Sequence, residues 1–88
     1  IFRVRGVSML PTFSNNDYVM TRRTNFIKKD DVVVINAENN TPIIKRIDSL
    51  FDGGFQVSSD NKAYESEICN KKYSCDDILG KVIFKLSF

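Results

Sequence analysis

Val32-Val33-Val34-Ile35 and, after a polar connection from Asn36 through Pro42, Ile43-Ile44-Lys45-Arg46-Ile47 decide how this chain folds. Four consecutive β-branched residues predict a strand covered on both faces, because branching at Cβ suits a pleated backbone and an unbroken apolar run leaves no face for solvent. In the second segment the period of two puts Ile43, Lys45 and Ile47 on one face and Ile44 and Arg46 on the other. A lysine is thereby set between two isoleucines. If that face points inward, desolvation lowers the pKa of the amine toward the range a general base needs; if it does not, the stem covers apolar surface and the ammonium stays in water.

The flanking segments carry the same strand signal. Phe2 and Val4 alternate with Arg3 and Arg5, which predicts a short strand ending at Gly6. Ser14-Asn15-Asn16-Asp17 reads as a turn before a strand at Tyr18-Val19-Met20, and Lys28-Lys29-Asp30-Asp31 as a polar turn before Val32. Phe51-Asp52-Gly53-Gly54 is a turn into the strand Phe55-Gln56-Val57-Ser58, followed by a polar corner at Ser59-Asp60-Asn61. Residues 62–77 are polar and irregular, with Tyr64, Ile68 and Tyr73 as anchors. In the closing run from Ile78 to Leu86, Val82, Phe84 and Leu86 face one way and Lys81, Ile83 and Lys85 the other. About six strands and little helix predict an all-β domain whose small sheet curls strongly to bury its apolar face on itself. Phe2, Tyr18, Phe55 and Phe84 are expected to fill that core rather than to stack on bases.

With 88 residues, 42% of them hydrophobic and 27% charged, the chain has the composition of one globular domain. Thirteen basic against eleven acidic residues leave a net charge of +2, which does not argue for nucleic acid. Arg22-Arg23 and Lys28-Lys29 either steer an acidic surface or lipid headgroup or line a solvated rim. No apolar run approaches the roughly 20 residues that span a bilayer, and no signal-peptide pattern opens the sequence. The start at Ile1-Phe2-Arg3-Val4, without an initiator methionine, leads us to expect a fragment or processed part of a longer chain. Cys69 and Cys75 suit either free thiols or a local disulfide and complete no zinc set; there is no phosphate-binding glycine loop, and neither a metal nor another cofactor is expected.

The chain has no histidine, so a Ser-His-Asp machine is excluded. A serine and a lysine can still perform acyl transfer when a neutral amine takes the hydroxyl proton. Ser8, in Gly6-Val7-Ser8-Met9-Leu10-Pro11-Thr12, falls just past the first strand, and Pro11 restricts the backbone after it.

Taken in order, Gly6 to Thr12, Asp17-Tyr18-Val19, Lys29 to Val34, Ile44-Lys45-Arg46-Ile47, Ser59-Asp60-Asn61 and Ile78-Leu79-Gly80-Lys81-Val82 resemble the boxes of the Ser-Lys peptidases. That superfamily includes type I signal peptidases and LexA-like self-cleaving repressors. The resemblance implies one catalytic domain of coiled β-sheets over residues 1–88, with Ser8 as nucleophile, Lys45 as general base and the Ser8 backbone amide in the oxyanion hole. Gly6, Met9, Pro11, Arg46 and Asp60 match supporting positions; Gly6 stands where some signal peptidases carry an assisting serine. It implies a serine endopeptidase acting on an extended protein segment laid against strand edges. The stretch from Lys28 to Ile35 with Ile44 to Ile47 looks most like the signal-peptidase branch, which implies signal-peptide or precursor processing, an upstream membrane anchor and an extracytoplasmic site. The alternatives are the C-terminal self-cleavage domain of a LexA-like or phage-type transcriptional repressor in the cytoplasm, and a noncatalytic peptide-binding relative. None of the three expects this domain to bind nucleic acid directly.

Overall fold

Each segment expected to be a strand is one in the computed structural model, which describes residues 1–37, 40–64 and 67–86. The strands are β1 (Phe2–Arg3), β2 (Tyr18–Arg22), β3 (Val32–Asn36), β4 (Pro42–Phe51), β5 (Gly54–Ser58) and β6 (Ile78–Leu86). All pairings are antiparallel, in one sheet of order β1-β2-β6-β3-β4-β5. The hairpins β3–β4 and β4–β5 follow from sequence proximity. The last strand returns to lie between β2 and β3, closing the sheet through contacts distant in sequence.

Curling gives the sheet two apolar clusters. Val33, Ile35, Ile47, Phe55, Val57 and Tyr73 form one, with Ile43 packed against it; Val4, Met9, Phe13, Val19 and Ile44 form the other. Neighbours on β4 therefore serve different clusters, as the period of two requires. Val33, Val34 and Ile35 are all buried, so the both-faces expectation for β3 holds. The expected turns form as well: the Asp17 amide donates to the Ser14 carbonyl at 3.0 Å and the Asp31 amide to the Lys28 carbonyl at 3.1 Å.

One expected core aromatic, Phe84, and one expected anchor, Tyr64, lie outside. Phe84 is 52% exposed, because a bulge between Met20 and Thr21 breaks the β2–β6 register beside it and the alternation with it; β6 also loses β3 as a neighbour beyond Lys81. Tyr64 is exposed on a short 3-10 turn, Lys62–Tyr64, which has no buried residue. Tyr73 does anchor its segment, exchanging two 2.8 Å backbone bonds with Phe55. The Ile68 side chain lies outside what is described. No helix among the described residues is long and apolar enough to cross a membrane.

Candidate active site

The Ser8 loop is built by a glycine and a buried methionine. Gly6, where the chain leaves β1, has φ +84°, a left-handed conformation that glycine adopts without a Cβ clash, and its amide donates to Asn15 Oδ1 at 2.8 Å. Met9, next to Ser8, is 1% exposed and packs in the cluster with Val4, Phe13, Val19 and Ile44. The Phe13 amide closes the turn on the Met9 carbonyl at 2.9 Å, with Pro11 exposed inside it.

Lys45 is 5% exposed, so the reading in which its ammonium reaches water is overturned. The reason is register. Arg46 pairs with Ser58 at the end of the β4–β5 ladder, and one further step sets Lys45 across from Ser59. Lys45 Nζ donates to Ser59 Oγ at 2.7 Å, and Ser59, fully buried, donates in turn to the Tyr64 carbonyl at 3.2 Å. This polar partner replaces the water that a buried amine loses. Cys69 Sγ lies 3.8 Å from the same hydroxyl, and both cysteines are free thiols.

The residues on either side of Ser59 and Lys45 form a clamp. Arg46 Nε and Nη2 reach Asp60 Oδ1 and Oδ2 at 2.8 and 2.7 Å, Arg46 Nη1 donates to the Asp30 carbonyl, and Thr12 Oγ1 donates to Asp60 Oδ2 at 2.6 Å. The Arg46 bonds hold the Asp60 carboxyl below the usual carboxylate range, with Thr12 acting in the same direction; Asp60 raises Arg46 in return. Asn61 holds the nucleophile loop directly, its amide on the Ser8 carbonyl at 2.9 Å and its Nδ2 on the Val7 carbonyl at 3.0 Å. Ser59, Asp60 and Asn61 thus hold the lysine, the arginine and the Ser8 loop in turn. The sequence places Ser59, Asn61 and Thr12 inside the matching boxes with Asp60 but, of these four, assigns a supporting role only to Asp60. The role of Ser59 follows from the β4–β5 register, which no residue pattern in the chain states directly.

Ser8 and Lys45 open into one cleft of about 180 Å³, whose other walls include Phe2, Arg5, Ile43 and Ile44. Its backbone edges are open. β5 pairs with β4 only from Arg46 onward, and β1 is the terminal strand, so Pro42–Lys45 and Phe2–Arg3 each lack a strand neighbour on one side among the described residues. A larger depression of about 370 Å³ lies at the other end of β4, between Ile27, Leu50, Phe51 and Phe55. It holds no lysine or arginine to serve as a base or bind an anion, so the smaller cleft is the better candidate. Among the described residues no three Cys, Asp or Glu side chains gather as a metal-binding group.

Residues 1–83 match the model of a protein family described as Peptidase S24-like. No curated protein matches the chain.

Proposed function

The chain belongs to the Peptidase S24-like family, the LexA-like group of the Ser-Lys peptidases, and on that premise we propose that it is the self-cleavage domain of a LexA-like regulator, with Ser8 and Lys45 as its catalytic dyad. One observation carries the dyad: Ser8 and Lys45, far apart in sequence, line the same cleft. The matched family favours the regulator over the signal-peptidase branch, and with it a target on the same polypeptide over a membrane-anchored precursor.

In the proposed mechanism an extended segment enters between the open edges of β1 and β4. Lys45, neutral, takes the Ser8 hydroxyl proton as Oγ attacks the scissile carbonyl, then delivers that proton to the leaving amine; water hydrolyses the acyl-enzyme. Burial works toward the neutral amine, and the bond to Ser59 orients it. The Ser8 amide suits the oxyanion role, since it has no acceptor among the described residues.

The test is cleavage of the purified full-length protein. A fragment should appear at a rate independent of protein concentration and faster as pH rises and more of the amine is neutral. Ser8→Ala and Lys45→Ala should each abolish it while the circular dichroism spectrum stays folded. Unchanged cleavage by Lys45→Ala would sink the mechanism, and turnover of separate precursors in place of self-cleavage would restore the signal-peptidase reading.

A further inference from the structure

The charges of the cleft indicate what enters it. Of its wall residues, Phe2, Pro42, Ile43 and Ile44 are apolar, Arg5 and Lys45 are basic, and none is acidic. Lys45 is buried on Ser59, but Arg5 is exposed and has no hydrogen-bond or ion-pair partner among the described residues. Three other cations are matched to carboxylates, Arg46 to Asp60, Lys81 to Asp31 and Lys85 to Asp17, whereas Arg5 is matched to none among the described residues. Arg5 reaches the cleft because β1 stops at Arg3 and Gly6 turns the chain, so strand alternation no longer directs it to the opposite face.

We propose that the cleft selects an extended peptide segment bearing an acidic side chain, which Arg5 engages while flanking residues contact Phe2, Ile43 and Ile44. The proposal rests on the reading of this cleft as the site that receives the target segment. A guanidinium presents a planar fork that matches a carboxylate, and low-dielectric walls concentrate the field of a cation that no protein carboxylate cancels. A lysine or arginine at the same position of the segment would meet like charge.

The probes are alanine-based heptapeptides in which Asp, Asn or Lys is walked through every position. Binding is read by fluorescence anisotropy on the Ser8→Ala protein, and cleavage is read separately with active Ser8. At one or two positions Asp should bind about fivefold better than Lys at low salt, with the gap narrowing at high salt. Arg5→Glu should reverse the order, whereas Arg3→Glu, the same charge change on β1 outside the cleft, should preserve it. No charge preference, an equal preference in Arg5→Glu, an equal loss in both variants, or no peptide binding at all overturns the proposal. Cleavage of the Asn peptides without any charge preference would remove acid selection and leave the peptidase. Arg5-dependent preference without cleavage would do the reverse.

Discussion

Replacing Asp60 with alanine tests whether the Arg46 clamp holds the site together or decorates its surface. The carboxylate accepts two bonds from Arg46 and one from Thr12, all between 2.6 and 2.8 Å. Charge-assisted bonds contribute roughly 1.5–3 kcal/mol each when protected from water. The Arg46 and Asp60 side chains are only 28% and 14% exposed, so water recovers part of this after the carboxylate is removed. The expected loss is about 2–4 kcal/mol, or roughly 10–25 °C in melting temperature for a domain of this size. Urea denaturation followed by far-ultraviolet circular dichroism measures it. A loss below about 0.5 kcal/mol, the scale of an exposed surface pair, would refute the argument. The pH dependence supplies a second check. Because folding depresses the Asp60 pKa, near pH 4 the unfolded chain holds more protons at this position than the folded one, and stability rises with pH. The Asp60 contribution is complete above the unfolded value and lost as pH falls through the folded one. The difference between wild type and Asp60→Ala should therefore be constant near neutrality and close in acid.

Two further substitutions examine neighbouring features. Ser59→Ala removes the acceptor of a buried amine and should cost about 1–3 kcal/mol; in peptide cleavage it should lower kcat while leaving KM nearly unchanged, because Ser59 orients the base and does not line the cleft. Gly54→Ala should cost about 1–3 kcal/mol in urea denaturation, since a Cβ there would collide with the Tyr73 carbonyl that binds the Phe55 amide; Gly53→Ala, with open space around its Cβ, should incur only the roughly 1 kcal/mol strain of its φ of +86°.

Most strands were legible because their signals are local. Branched residues at 32–35, alternation around Lys45 and the polar turns at 14–17 and 28–31 each act through neighbours in the chain. The errors arose where a nonlocal pairing intervened. Phe84 alternates correctly on paper, but the β2–β6 bulge breaks that alternation and leaves the ring in solvent. Tyr64 looked like an anchor, yet its backbone carbonyl makes the contact, with Ser59. At the candidate site, the ordered boxes contain Ser8, Lys45, Ser59 and Asp60, whereas the bond of Ser59 to Lys45 and the place of Arg5 in the cleft wall follow only from register and loop direction.

The amino-acid sequence by itself determined an all-β chain, excluded histidine-based nucleophilic catalysis and set a lysine between isoleucines, since composition and period belong to the chain before it folds. Tertiary structure decided that the lysine is buried, that Ser59 receives its hydrogen bond and that Ser8 shares its cleft. Those outcomes depend on where β4 ends its hairpin ladder with β5, a matter of register between strands, and on how the loop after β1 is held by residues 48 and 54 positions away.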